Sequence, residues 1–376
     1  MTERGKKPEW APSDASHTSF TSYVMQGVEG GHDGMSHHTQ PLKKRFVKQN
    51  QIDINQYVEG VLTHNRSILA KTITLIESNA SHHIELAQKV MNQLLPHTGR
   101  SVRIGITGVP GAGKSTFIEA LGTYLCDAGH RVAVLAVDPS SSITGGSILG
   151  DKTRMEKLAS HPNAFIRPSP SGGALGGVNR KTRETMLLCE AAGYDVILVE
   201  TIGVGQSEIV VRSMVDFFLL LVLTGAGDEL QGMKKGIMEL ADAIIINKAD
   251  GDNKPRALAA REEYNQILHY LKPATNGWHT QAYTCSAMKG EGISGIWNVV
   301  QQFVLVTNES GVFTNRRREQ LKDWLLAMIK DYLEHSFFSN PRVKQTMPEI
   351  ENKVMAGDKT VTAAVQQLIQ LYENQK

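Results

Sequence analysis

Cysteine is scarce in this chain of 376 residues. The three present, Cys126, Cys189 and Cys285, lie far apart and fit no short metal-ligand spacing. That argues against a fold stapled by disulfides or zinc and predicts buried thiols in a reducing compartment. Long apolar runs are missing too. The longest, residues 217–223 (FFLLLVL), has the length of a buried strand, well short of the roughly 20 residues that cross a bilayer. Nor is there an excess of charge: 40 basic and 38 acidic residues nearly cancel, which removes the global field that draws a protein to nucleic acid. Neither a membrane nor a nucleic acid is expected as partner. The amino terminus carries Glu3 and Asp14 and shows neither a secretory apolar segment nor an arginine-rich presequence, so a cytoplasmic location is the simplest expectation.

What is present divides into four stretches. Residues 1–50 are rich in Gly, Ser, His and charge with little apolar periodicity, and read as a flexible segment. His32, His37 and His38 lack the carboxylates or cysteines that would make them metal ligands. Residues 51–98 read as a helical extension of two helices. Val58, Leu62, Ile68, Leu69, Ile73 and Ile76 supply one set of apolar faces, and Ile84, Ala87, Met91 and Leu95 another beyond a break at 78–81. Such a pair has little core of its own and needs the following domain to cover it.

Residues 99–305 carry an α/β pattern. Short apolar runs at 102–107, 131–137, 194–199, 217–223 and 243–246 alternate with helical stretches, which implies crossover connections and a mostly parallel sheet covered by helices. Ligands then belong at the carboxyl ends of the strands. Residues 306–376 return to helix. Leu321, Trp324, Leu325, Met328, Ile329 and Leu333 form one stripe and Val361, Val365, Leu368 and Leu371 another, across a polar break at 339–348. A long helix with an apolar face beyond a finished domain must cover that domain or meet another subunit, and the second, a homodimer, is the favoured expectation. The preceding Arg316, Arg317 and Arg318 read as a solvated helix start.

The strongest local signal is Gly108-Val109-Pro110-Gly111-Ala112-Gly113-Lys114-Ser115, followed by Thr116. This is P-loop spacing directly after a strand. Glycines let backbone N–H groups approach phosphate oxygens, the following helix adds its positive end, Lys114 reaches the β and γ phosphates, and the Ser115 hydroxyl can bind Mg²⁺. Glu200 ends the apolar strand 194–199 at the phosphate edge, suited to a magnesium-bound water. Gly203 follows at the spacing of a glycine that senses the γ phosphate, and Gln206 is a candidate for orienting water. Asp138, after the strand 131–137, and Asp151, in a glycine-hinged stretch, are candidates for positioning water or coordinating Mg²⁺ through water.

The base is read further along. Asn247-Lys248-Ala249-Asp250 follows the strand 243–246 directly. The Asp250 carboxylate can accept from guanine N1–H and the exocyclic amine, a donor pair that adenine does not offer. Asn247 can hold the loop, and the Lys248 stem can cover the purine face. Ser286 and Ala287 supply a second loop, expected to reach guanine O6 through backbone N–H. The set in this chain order predicts a Mg²⁺-dependent GTPase binding GTP and GDP.

These motifs resemble the MeaB/ArgK family, GTPases associated with methylmalonyl-CoA mutase. The resemblance spans about 56–335 and rests on GVPGAGKSTF (108–117), VDPSS (137–141), TGGSILGDKTRM (144–155), RPSPSGGALGGV (167–178), YDVILVETIGVGQSE (194–208) and INKAD (246–250). It implies a P-loop NTPase fold of the SIMIBI class. It implies Lys114 and Ser115 on phosphate and metal, Asp138, Asp151 and Glu200 around the metal and its waters, and Asn247, Lys248 and Asp250 on guanine. It also implies a chaperone that gates adenosylcobalamin loading and protects an adenosylcobalamin-dependent acyl-CoA mutase, as a homodimer through carboxyl-terminal helices. Gly172-Gly173 departs from the family's frequent Arg-Gly pair, which implies loss of a guanidinium contact. A metallochaperone-type GTPase and an amino-acid transport accessory kinase are the alternatives. The scattered cysteines speak against the first and the lack of an evident protein-substrate acceptor against the second.

Overall fold

The computed structural model describes residues 53–137, 155–168, 175–201, 207–224 and 235–374. Its centre is a sheet of seven strands: β1 (Val102–Gly108), β2 (Val132–Val137), β3 (Ala164–Arg167), β4 (Val196–Thr201), β5 (Phe217–Val222), β6 (Ala243–Ile246) and β7 (Gln281–Thr284). They lie in the order β3-β2-β4-β1-β5-β6-β7, and every pairing is parallel. β2, β4, β5 and β6 are buried at every residue, as strands covered on both faces must be. Period-2 alternation then decides which layer each side chain joins.

One face takes Ile104, Ile106, Val132, Val134, Val196, Leu198, Phe217 and Leu219. It packs against Phe117, Ile118, Leu121 and Leu125 of α4 (Lys114–Asp127) and Trp297, Val300 and Phe303 of α10 (Ile293–Glu309). Phe217, Trp278 and Phe303 meet edge to face, with centroids 4.8 to 6.5 Å apart. The other face takes Ala133, Leu135, Ile197, Val199 and Phe218 beneath four helices. These are α1 (Ile54–Leu62), α2 (Arg66–Glu77), α3 (Ser81–Leu94) and α6 (Leu175–Ala191). Side chains as fully buried as Leu69, Ile73 and Leu94 each contribute about 1.5–3 kcal/mol. The amino-terminal helices therefore share the sheet's core, as their small apolar faces demanded.

Toward the β7 edge, Leu220, Val222, Ile244 and Ile246 pack under Ala257 and Tyr264 of α9 (Lys254–His269). The remaining short helices are α5 (Glu156–Ser160), α7 (Ser207–Arg212) and α8 (Lys235–Met238). The chain ends in α11 (Val312–Ser339), α12 (Pro341–Met355) and α13 (Val361–Glu373). No helix among the described residues is long and apolar enough to cross a membrane. Cys126, Cys189 and Cys285 are all buried and free.

The structure corrects four expectations. The first helical stretch is two helices, because His64 turns left-handed (φ 62°) and Asn65 caps a new start by accepting from Ser67 N and Ile68 N at 3.1 Å. β3 and β7 are additional strands, each too short for its alternation to stand out. The supposed polar break at 339–348 is mostly helix: Pro341 sits in the first turn, Asn340 caps it, and Val343 and Ile350 form the core with Ala364 and Leu368.

The fourth concerns the arginines. Only Arg318 is exposed. Arg317 forks onto Asp216, Nε to Oδ1 at 2.8 Å and Nη2 to Oδ2 at 2.6 Å, and donates to Gly99 O and Ser101 O. Arg316 and Arg212 flank buried Asp242 at 3.7 and 3.4 Å. Arg316 and Arg317 root α11 at the amino ends of β5 and β6, the sheet edge opposite the P-loop.

Candidate functional site

The motifs gather where β1, β4, β6 and β7 end. β1 delivers the P-loop at Gly108, where φ is 156° and an added Cβ would lie 2.3 Å from the Leu221 carbonyl oxygen of β5. A side chain there would push the loop off the sheet. Gly113 opens α4 in the left-handed region (φ 85°), and a Cβ on it would meet the Asn247 amide at 2.8 Å. Pro110, Gly111 and Thr116 are exposed while Ala112 is buried, so the loop arches over a fixed base.

Lys114 folds back and donates to Gly108 O at 2.9 Å and Val109 O at 3.4 Å. Burial lowers its pKa, against the opposing charges of Glu200 and Glu208. The Ser115 hydroxyl donates to Glu200 Oε1 at 3.2 Å. Glu200 is buried, one residue before the end of β4 and level with Ile106 of β1. Just beyond, Thr201 donates its hydroxyl to that of Thr107 at 2.9 Å, tying the ends of β4 and β1 together. A serine hydroxyl beside a carboxylate fits Mg²⁺, which takes one or two protein oxygens and fills its remaining positions with phosphate and water. Among the described residues no group of three or more His, Cys, Asp or Glu is assembled as a metal cage.

The base-reading loop is joined to the phosphate loop by one side chain. Asn247 is buried; its Nδ2 donates to Ala112 O at 2.8 Å, and its Oδ1 accepts from Ala287 N at 3.1 Å and Cys285 Sγ at 3.4 Å. Ser286 donates its hydroxyl to Asp250 Oδ2. The backbone N–H of Ser286 donates to Glu291 O at 3.0 Å. Both N–H groups expected to reach guanine O6 thus donate within the protein, and what Ser286 offers the base reader is its hydroxyl on Asp250. Lys248 is exposed, with its stem free to lie along a ring.

Asp138, Asp151, Gly203 and Gln206 lie outside the described residues, as do Gly172 and Gly173. Three members of the site escaped the sequence reading. Glu208 is buried and sets its charge against Lys114; it closes the quoted stretch 194–208, but nothing in the sequence marked it for a role. Thr107 ends the apolar run 102–107 and Thr201 follows the run 194–199, with nothing to mark a hydroxyl pair.

The sequence profile of a family described as "Methylmalonyl Co-A mutase-associated GTPase MeaB" matches residues 69–342. A putative GTPase of Caulobacter vibrioides is 52% identical over 318 residues, covering 85% of this chain and 97% of that protein. GTPase ArgK of Escherichia coli is 45% identical over 311 residues, covering 82% and 94%. The mitochondrial methylmalonic aciduria type A homolog of Mus musculus is 41% identical over 347 residues, covering 90% and 83%. Among solved structures, one described as an LAO/AO transport system kinase superposes with a TM-score of 0.70 at 37% identity, covering 86% of this chain and 99% of that one.

Proposed function

The chain belongs to the methylmalonyl-CoA mutase-associated GTPase family, and from that membership we propose that its GTP cycle gates adenosylcobalamin loading onto an adenosylcobalamin-dependent acyl-CoA mutase, which it protects or restores. It is a P-loop GTPase. The observation that carries the nucleotide part of the reading is the Asn247 clasp, which ties the phosphate loop to the guanine loop and fits one nucleotide reaching across both; the mutase client rests on the family membership.

Lys114 exchanges the Gly108 carbonyl for β and γ phosphate oxygens, and the loop's N–H groups and the amino end of α4 take up the remaining charge. Ser115 and Glu200 would hold Mg²⁺, directly and through water; when bound it neutralises charge developing on the β and γ oxygens. A water oxygen bonds to the γ phosphorus as the bond from that phosphorus to the bridging oxygen breaks; the electron pair of the broken bond stays on GDP, one water proton remains on the new phosphate hydroxyl, and the other passes to a phosphate oxygen or to solvent. Asp138, Asp151 and Gln206 are the residues assigned to orient that water, with Gly203 sensing the γ phosphate. Asp250 accepts from guanine N1–H and the 2-amino group.

A homodimer forms through α11. Leu321, Leu325, Ile329 and Leu333 recur on one face and are 57%, 61%, 46% and 54% exposed in the single chain, a surface that a second copy would cover.

The test is purification with a methylmalonyl-CoA mutase while GTP hydrolysis and adenosylcobalamin transfer are measured together. A stable complex whose cofactor transfer depends on GTP supports the proposal. A mutase that neither binds nor changes its cofactor uptake removes the client and leaves the GTPase in place.

A further inference from the structure

Lys248 holds a backbone conformation that side chains avoid. Its φ is 60°, and His64 is the only other described non-glycine residue with positive φ. The turn it makes separates Asn247, which clasps the P-loop, from Asp250, which faces the base. Its neighbours are fixed by the sheet: Asn247 N donates to Val222 O at 3.0 Å and Ala249 N to Cys285 O at 2.9 Å. Lys248 itself is held from another quarter.

Asn253, half-buried at the start of α9, donates Nδ2 to the Lys248 carbonyl at 2.7 Å. Its own N–H donates to Asp250 O at 3.1 Å. Thr224, just past the end of β5, donates its hydroxyl to Asn253 Oδ1 at 2.7 Å. That bond orients the amide, since an oxygen accepting from Thr224 leaves the NH₂ group facing Lys248. One side chain therefore grips the strained residue whose stem covers the purine, while its backbone grips the residue whose carboxylate reads it.

We propose that Asn253 and Thr224 are positioning residues for guanine recognition: Thr224 orients Asn253, and Asn253 holds the left-handed Lys248 turn so that Asp250 meets N1–H and the 2-amino group together. Neither touches the base. The proposal rests on Asp250 being the guanine reader.

The test compares the affinity of the full chain for GDP and for inosine diphosphate, which lacks the 2-amino group. The ratio of the two reports where Asp250 sits. Asn253→Ala, and Asn253→Asp, which keeps an acceptor for Thr224 but loses the donor to Lys248, should weaken GDP binding about five- to tenfold, the worth of one hydrogen bond, and bring the ratio toward one. Thr224→Val should follow in the same direction, and Thr224→Ser should restore the original ratio.

Unfolding midpoints are recorded alongside. A lowered midpoint with an unchanged ratio makes the contacts merely structural and overturns the proposal. Asp250→Ala is measured in parallel. If it collapses the ratio while the Asn253 and Thr224 variants keep it, the brace alone falls. If it leaves the ratio intact, the guanine assignment fails and the brace with it. Should Asn253→Ala not fold, Thr224→Val decides.

Discussion

Asn247 and Ala112 are 135 positions apart in sequence and joined by a 2.8 Å hydrogen bond from side-chain amide to main-chain carbonyl. The same side chain accepts from Ala287, so three loops close on one buried group. Asn247→Ala leaves the Ala112 carbonyl and the Ala287 N–H without these partners, at about 1–3 kcal/mol for each group left unsatisfied. The expected result is a lower unfolding midpoint together with at least roughly tenfold weaker GDP binding by calorimetry, since about 1.4 kcal/mol corresponds to that factor. A variant with reduced stability and full GDP affinity would show that the clasp does not organise the nucleotide site.

How much of this was legible in the sequence follows from how local each signal is. The P-loop and Asn247–Asp250 announce themselves because each needs fixed residue types within a few positions after an apolar strand. β2, β4 and β5 were visible because burial on both faces demands unbroken apolar runs. β7 was not: only Ala282 of its four residues is buried. Glu208 was invisible because its role depends on a contact that folding creates with distant Lys114, and Asn253 because the left-handed turn at Lys248 and the partner Thr224 appear only in the folded chain. The arginines at 316–318 misled for the same reason. A charge run looks solvated until Asp216 and Asp242, far away in sequence, are known to meet it.

Glu190 should give the stability curve an acid limb. Burial alone would raise its pKa, but the Arg103 charge and hydrogen bonds from Arg103, Ser101 and Gly99 outweigh that and hold the carboxyl below the ordinary glutamate value. A group lowered in the folded state contributes fully above its unfolded pKa and loses that contribution as pH falls through the folded one. Chemical denaturation from neutral pH down into that range should show the loss, and Glu190→Gln should flatten that part of the curve.

Arg317→Ala should be among the costlier single changes. It strips the fork from Asp216, whose side chain is fully buried, and leaves a buried carboxylate without its counter-charge. Breaking such a pair costs about 3–5 kcal/mol. Urea unfolding checks the figure, and a loss near zero would mean that Asp216 finds another partner.

The exposed face of α11 predicts association. Leu325→Glu should turn a dimer into a monomer in light scattering while leaving the unfolding midpoint of the isolated chain nearly unchanged, because Leu325 is 61% exposed there. A wild-type chain that is monomeric at all concentrations would refute the assignment of this face.

Calorimetric titration of the chain with GTP, GDP and ADP in the presence of Mg²⁺, repeated on Asp250→Ala, tests the central claim most directly. One guanine nucleotide per chain, strong preference over ADP, and loss of that preference in Asp250→Ala by roughly ten- to a hundredfold, from hydrogen bonds to a charged group worth about 1.5–3 kcal/mol, are the predicted results. Guanine nucleotides that bind no better than ADP, or a preference that survives in Asp250→Ala, would contradict a single site spanning Lys114 and Asp250.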